Sequence, residues 1–93
     1  MDLKKLYELL SKEKYPHVHI HKFIGVKTQA FLSGVAELEK AHPTAKRIAE
    51  REKNESRGGQ YLALTYELEV QSADEIIAFY QFTLALPDLK IIL

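Results

Sequence analysis

The segment YLALTYELEV, residues 61–70, constrains the fold more than any other part of this sequence. Apolar side chains alternate with other side chains along it, and successive side chains of a strand point to opposite faces of a sheet. The pattern predicts a strand with one face against a core and the other face open to water or to a partner. The set predicted to be buried is Leu62, Leu64, Tyr66, Leu68 and Val70, and the open set is Tyr61, Ala63, Thr65, Glu67 and Glu69.

Three further elements precede this strand. Leucines at helical spacing predict a short amphipathic helix over residues 2–12. The stretch HVHIHKFIGV predicts a strand over residues 18–26, in which Gly25 indicates a bulge or a close backbone approach. Thr28 is the expected N-cap of a helix over residues 29–41. The predicted buried stripe of that helix is Phe31, Val35 and Leu38, with Leu32 beside them.

The rest of the chain gives weaker patterns. Residues 44–53 alternate like a strand but are rich in helix formers, so both structures remain open, and as a strand their charges suit an exposed edge. KNESRGG predicts a turn, closed by its glycines. Ser72 and Glu75 predict a capping box at the start of a helix over 73–84, and a last strand is expected over 89–93. The side chains expected to be buried by that helix are Ile76, Ile77, Tyr80 and Leu84.

After the first helix the predicted order is β-α-β-β-α-β. This order predicts an α+β protein of the ferredoxin-like class, with an antiparallel sheet and two helices on one of its faces. We expect residues 1–93 to form a single domain, with residues 1–14 as an N-terminal helical extension. A chain of this size buries one modest core and has little room for a deep catalytic pocket.

Composition removes several classes of function. The formal net charge is zero, which argues against a strongly basic nucleic-acid binder. Cysteine is absent from the sequence, so disulfides, thiolate metal sites and thiol nucleophiles are excluded. The longest apolar runs are too short to span a membrane, and the charged N-terminus is unlike a secretory signal. We therefore expect a cytoplasmic protein without a membrane partner or a cofactor.

Three histidines, His17, His19 and His21, alternate along the first predicted strand, so their imidazoles share one face. Imidazole is a common zinc or copper ligand. Three histidines in such a row span about 13 Å, which is too far for all of them to bind one ion, and His42 lies beyond the following helix. We favour half-buried, aromatic-like packing with His17 exposed, and keep a histidine metal site as the alternative.

The stretch SRGGQY raises the question of a phosphate or RNA site. Its glycines precede a strand, whereas the glycines of a phosphate loop precede a helix and have a different spacing. When this stretch is compared with the strand motif of RNA-recognition domains, some of its residues match the motif and others do not. Arg57, Gly58, Tyr61 and Leu62 fit, whereas Gly59, Gln60 and Leu64 do not. The loss of stacking aromatics removes the main energy of base binding, so nucleic acid is not the expected partner. RNA binding by this face remains an alternative, because Tyr61 alone could still stack.

A catalytic set is not found. Acidic residues pair on the predicted strands, Glu67 with Glu69 and Glu50 with Glu52. Nothing in the sequence places a nucleophile, a proton donor or an oxyanion donor opposite either pair. The pattern favours a protein that is not an enzyme.

Four stretches, KLYELL, YPHVHIHKFIG, EKAHP and SRGGQYLALTYELEV, occur in an order that resembles the YbeD-like family of small bacterial proteins of unknown function. The family pattern begins with Leu-x-Glu-Leu-Leu, followed by an aromatic residue and proline before a strand that ends in Lys-x-x-Gly. A helix that ends near His-Pro comes next, and Ser-Lys/Arg-Gly-x-Tyr then precedes another strand. The matching residues here are Leu6, Glu8, Leu9, Leu10, Tyr15, Pro16, Lys22, Gly25, His42, Pro43, Ser56, Arg57, Gly58 or Gly59, and Tyr61. The segment before Pro16 is longer than in the family, and His19 and His21 stand where apolar or aromatic residues are usual.

The resemblance implies a ferredoxin-like fold similar to the ACT-type regulatory domains of metabolic enzymes, without catalytic residues. It implies a regulatory module that binds a protein partner, a second copy of itself as a homodimer, or a small ligand. The contact surface that we expect is the open sheet face near Lys22, Tyr61 and Thr65, with Arg57 at the hairpin tip. Which face of the first strand is buried stays open, because Val18, Ile20 and Ile24 are apolar, yet the family places its apolar set on the side of His19, His21 and Phe23. If both faces of the sheet are covered, the N-terminal helix or a second subunit must cover the open one.

Overall fold

The computed structural model describes residues 3–12, 14–55 and 59–93, which contain three helices and four strands in an α+β arrangement. In chain order the elements are α1 (Leu3–Leu10), β1 (His17–Val26), α2 (Gln29–Ala41), β2 (Ala45–Glu55), β3 (Gly59–Val70), α3 (Ala73–Leu84) and β4 (Leu89–Ile92). Each lies at or near its predicted position. Residues 56–58, part of the turn predicted before β3, lie outside the described residues.

The strands form one antiparallel sheet in the order β2-β3-β1-β4. Strand and helix were both open for residues 44–53, and all of these except Thr44 belong to the edge strand β2. Repeated charges along this strand suit an edge, because they hinder pairing with another chain. The central strand β1 pairs over its whole length with β3, from His17 opposite Val70 to Val26 opposite Tyr61. This register determines which side chains of the two strands share a face.

The core lies between one face of the sheet and the helices α2 and α3. The predicted buried face of β3 and the predicted stripe of α2 are both buried. The Phe23 and Tyr66 rings stack with 5.8 Å between their centroids, and the Tyr66 ring meets the Phe79 ring edge-on at 5.6 Å. Offset-stacked and edge-to-face contacts are the favourable geometries for buried aromatic rings. The clear alternation of residues 61–70 therefore located the core correctly.

The prediction for the buried face of α3 was partly wrong. Ile76 is buried as expected, but Ile77 and Tyr80 are only half-buried and Leu84 is exposed. The helix instead buries Ala73, Ile76, Phe79 and Thr83. Apolar residues occur nearly all round this helix, so two stripes at helical spacing compete in the sequence. Contacts with the sheet decide between them, and the sequence does not contain that information.

The two predicted helix caps differ in outcome. Thr28 is the N-cap of α2, and its hydroxyl oxygen accepts a hydrogen bond of 3.1 Å from the backbone N–H of Phe31. Ser72 lies at the N-cap of α3, but its side chain makes no capping hydrogen bond. Glu75 accepts a 2.8 Å hydrogen bond from the backbone N–H of Gln71, one residue before the cap. The reciprocal capping box is therefore absent, although one carboxylate still satisfies a backbone donor at this helix start.

Gly25 has both features that its place in β1 predicted. The β1–β4 register shifts between Ile24 and Gly25, which is a bulge-like irregularity. A Cβ atom at Gly25 would lie 2.1 Å from the ring of Phe31. Only glycine allows the strand and α2 to approach so closely.

The first helix packs against α3 on the helical side of the molecule. Its Leu10 contacts the edge of the core, and the Tyr15 hydroxyl donates a 2.7 Å hydrogen bond to the Leu10 carbonyl oxygen. The helix therefore does not lie on the other face of the sheet, where Val18 and Ile20 are each 53% exposed. In the described ranges, every helix is too short or too polar to cross a membrane.

Candidate functional site

The face of the sheet away from α2 and α3, called here the open face, contains three of the four predicted contact residues. Lys22 lies opposite Thr65 in the β1–β3 pair, and Val26 lies opposite Tyr61. Lys22 is exposed, whereas Thr65 and Tyr61 are half-buried by their neighbours on this face. Arg57, the fourth predicted residue, lies outside the described residues.

A groove of about 570 Å³ opens on this face near Tyr61. We call it the basic groove, because four of the eight described side chains that line it are cations. The described lining is Lys22, Ile24, Arg51, Glu52, Lys53, Tyr61, Ala63 and Lys90. Arg51 and Ile24 are both partners of Ala63, one on each side of it. The short Ala63 side chain between two longer ones explains the depression, because neighbouring strands lie only about 4.8 Å apart.

Three of these cations, Arg51, Lys53 and Lys90, were not predicted as site residues. The sequence did contain a signal for two of them. Lysine and arginine outnumber acidic residues between positions 44 and 57, and the spacing of Arg51 and Lys53 places both on one face of β2. Lys90 gave no signal, because only the sheet order brings β4 next to β1.

Two contacts organise the basic groove. The Lys90 Nζ atom lies over the Tyr61 ring, 5.9 Å from its centroid, in a cation–π arrangement. Lys27 donates a hydrogen bond to Glu52 and forms an ion pair with it. The carboxylate in the groove lining is therefore already neutralised by a cation that does not line the groove.

The opposite end of the open face has a different character. The exposed Val18 lies opposite Glu69, and the exposed Ile20 lies opposite Glu67. Lys46 is the β2 partner of Glu67. This end is thus partly apolar and partly acidic, whereas the basic groove carries a concentration of positive charge.

The three histidines of β1 face the core side of the sheet. Their ring centroids lie 6.3 Å apart, both from His17 to His19 and from His19 to His21. His21 is 4% exposed, and its Nε2 atom is buried without a hydrogen-bond partner. His17 was expected to be exposed, but it is half-buried, with its ring 5.8 Å from that of Tyr15.

The surroundings of His21 are aromatic rather than ligand-like. Its ring meets the Phe79 ring edge-on at 5.0 Å and the Tyr80 ring at 6.0 Å. Burial, and then the neighbouring His19, lower the pKa of His21 to about 4. Burial, and then His17, lower the pKa of His19 as well. Within residues 3–12, 14–55 and 59–93, no group of three or more histidine or acidic side chains is arranged to hold a metal ion.

A polar cluster on the core side of the sheet, near its β2 edge, connects α2 with β2 and β3. The Tyr66 hydroxyl donates a 3.0 Å hydrogen bond to Glu39, and Arg47 donates two hydrogen bonds of 2.9 and 3.1 Å to the same carboxylate. Arg47 also donates a 2.7 Å hydrogen bond to Glu50. Burial raises the pKa of Tyr66 to about 12, although Arg47 acts in the opposite direction. This cluster satisfies the polar end of a core tyrosine and therefore has a structural role.

Comparison with known proteins gives one family. Residues 3–93 match the family model described as "Protein of unknown function (DUF493)". No curated protein and no solved structure matches the chain. The match agrees with the expectation of a small protein family without an assigned function.

Proposed function

The chain belongs to the DUF493 family of proteins of unknown function, and from that premise we propose that it is a non-enzymatic binding module whose open face binds an anionic partner. One observation supports the proposal above the others. Four cations, Lys22, Arg51, Lys53 and Lys90, surround one groove on a face that neither α2 nor α3 covers. A surface of one charge sign attracts ligands of the opposite sign and increases their rate of association.

The chemistry of the basic groove supports binding rather than catalysis. Among the residues that the structure describes, its lining includes no serine, histidine or cysteine. The lining carboxylate, Glu52, is held by Lys27 and is not free to act as a general base. We therefore infer that the groove recognises charge and does not transform its ligand.

The proposal extends to the class of protein. We propose a ferredoxin-like module, which the order β-α-β-β-α-β after α1 and the antiparallel sheet support. We further propose the YbeD-like and ACT-like relationship, a regulatory role and a cytoplasmic location, which rest on the sequence motifs and on a composition without a membrane segment. A regulatory module responds to the partner that it binds and does not transform it. A groove without catalytic groups among its described lining suits such binding.

The proposed function is tested by affinity capture from the native cell with three baits. The wild-type protein is compared with the double variant Arg51→Glu/Lys53→Glu and with the control Lys46→Glu, which changes a charge on the open face of β2 outside the groove. Partners that depend on the basic groove are expected to disappear with the double variant and to remain with the control. An identical set of captured molecules from all three baits would contradict binding through the basic groove.

A second candidate, self-association, is favoured by the two unlike ends of the open face. A twofold axis across the strands near Thr65 would place the acidic end of one copy, Glu67 and Glu69, over the basic groove of the other. Such an isologous interface is self-complementary, and the exposed Val18 and Ile20 would be covered. Sedimentation velocity tests this candidate: a dimer that weakens with salt and is lost in Ile20→Asp supports it, whereas a monomer at high micromolar concentration contradicts it.

A further inference from the structure

The basic groove has the size and charge of a site for one small ligand. Its volume of about 570 Å³ falls within the range of about 300–1,000 Å³ that is typical of small-molecule sites. Among the described side chains, none of Lys22, Arg51, Lys53 and Lys90 forms an ion pair. Four unpaired cations around one depression repel one another, and a multiply charged anion would relieve that repulsion.

The positions of the cations favour an anion with several phosphate groups. Arg51 and Lys53 lie two residues apart on one face of β2, about 7 Å from each other along the strand, while Lys22 and Lys90 come from β1 and β4. Arginine presents a planar fork of N–H donors that matches two phosphate oxygens, and lysine supplies a compact positive charge. Cations spread over the width of the groove suit a chain of phosphates better than a single monovalent anion.

The contact between Lys90 and Tyr61 argues against recognition of single-stranded nucleic acid by the basic groove. Binding of single-stranded nucleic acid depends on bases that stack on aromatic rings. Lys90 lies over the Tyr61 ring at 5.9 Å from its centroid, so a base that stacked on that side of the ring would have to displace a cation. Along the open face, Glu67 and Glu69 would repel a polyanion that continued past the groove.

We propose that the basic groove is a binding site for a small molecule with two or more linked phosphate groups, which Arg51, Lys53, Lys22 and Lys90 bind through its phosphates. This inference rests on the proposed function, because it names the ligand class of the same face. The phosphates could belong to a free polyphosphate or to a nucleoside polyphosphate, since the groove recognises what the two share.

The test is calorimetric titration of the full chain at low salt with inorganic phosphate, pyrophosphate, tripolyphosphate and ATP. One-to-one, saturable binding is expected to strengthen with the number of phosphates, and tripolyphosphate and ATP are expected to bind equally well. A nucleoside polyphosphate that binds much more tightly than tripolyphosphate would show that the base is recognised, and would overturn recognition through phosphates alone. No binding of tripolyphosphate would overturn the inference outright.

Matched variants locate the site. Arg51→Ala and Lys53→Ala are each expected to weaken tripolyphosphate binding by about tenfold, as the loss of one charge-assisted contact does. Lys46→Ala, on the same strand and face, is expected to leave the affinity unchanged. An equal loss in all three variants would contradict a defined groove and indicate general charge attraction. All three positions are exposed, and thermal melting of each variant is the check that it folds.

Two further ligands separate this inference from the proposed function. If citrate binds as tightly as tripolyphosphate, or if a uridine oligonucleotide binds more tightly than tripolyphosphate, the inference of a small ligand with linked phosphates is wrong. In either case the open face still binds an anion, and the proposed function stands. If the double variant Arg51→Glu/Lys53→Glu also captures the same cellular partners as wild type, the proposed function fails as well.

Discussion

The buried His21 is expected to make the fold lose stability as soon as the pH falls below 6.5, before most carboxylates titrate. The ring is 4% exposed and is surrounded by Phe23, Phe79 and Tyr80, and its Nε2 atom has no hydrogen-bond partner. A proton added to this ring places a charge among aromatic rings, next to His19. Burial without a partner disfavours the charged form, which is why the pKa is lowered to about 4.

The magnitude follows from proton linkage. The pKa falls from 6.5 in the unfolded chain to about 4 in the folded protein, so folding excludes a proton at intermediate pH. The contribution of His21 to stability is therefore complete above pH 6.5 and is lost as the pH falls from there towards 4. The full effect is about 3 kcal/mol, of which about 2 kcal/mol is lost between pH 7.5 and pH 5. His19 adds a loss in the same direction, because its pKa is also lowered.

The assay is urea denaturation at a series of pH values between about 7.5 and 5, a window in which aspartate and glutamate with ordinary pKa values stay mostly ionised. The variant His21→Phe keeps an aromatic ring and cannot take up the proton. Between the two pH limits it is expected to lose about 2 kcal/mol less stability than wild type. His17→Asn, which leaves His21 in place, is the control and is expected to lose nearly as much stability as wild type, because His17 is only the second cause of the lowered pKa of His19. Parallel pH curves for wild type and His21→Phe would refute the reasoning.

Three substitutions test the packing, each by urea denaturation at neutral pH. Gly25→Ala forces a methyl group to 2.1 Å from the Phe31 ring, and a loss of about 3 kcal/mol is expected, at the upper end for overpacking; a neutral result would show that β1 and α2 separate freely. Thr28→Ala removes the acceptor for the first turn of α2, with an expected loss of about 1 kcal/mol; Thr28→Ser should recover most of it, and equal losses in both would contradict a capping role. Glu39→Ala removes the acceptor of the Tyr66 hydroxyl, with an expected loss of about 1 kcal/mol; if the loss persists in a Tyr66→Phe background, the hydrogen bond is not its cause.

The sequence was sufficient to predict an element and its buried face where one hydrophobic pattern dominated. Residues 61–70 alternate without interruption, and one slip in register would expose a whole apolar face, so both the strand and its buried set were predictable. The α2 stripe was predictable for the same reason, because only polar residues and alanines lie on the exposed side of that helix. In α3, by contrast, Ile77 and Tyr80 compete with Ile76 and Phe79, and only packing against the sheet selects between the two stripes.

The basic groove could not be predicted without the order of the strands in the sheet. Its cations come from β1, β2 and β4, and the positions 22, 51 and 90 are far apart in the chain. The open side of β3 and the place of Tyr61 on it followed from alternation alone, whereas both sides of β1 contain apolar residues, so the side on which Lys22 lies required the packed sheet. Lys90 joined them only because β4 pairs with β1, and its position over Tyr61 follows from the irregular register at Gly25. Contacts of this kind depend on topology and not on local pattern.

The most direct test of binding through the open face is a nuclear magnetic resonance titration of isotope-labelled protein with tripolyphosphate at low salt. Saturable shifts are expected at the backbone amides of Lys22, Arg51, Lys53, Tyr61 and Lys90, while amides of α2 and α3 stay unchanged. The shifts should disappear in Arg51→Ala/Lys53→Ala and persist in Lys46→Ala. Shifts centred on the helices, or spread evenly over all lysines of the protein, would contradict a binding site on the open face.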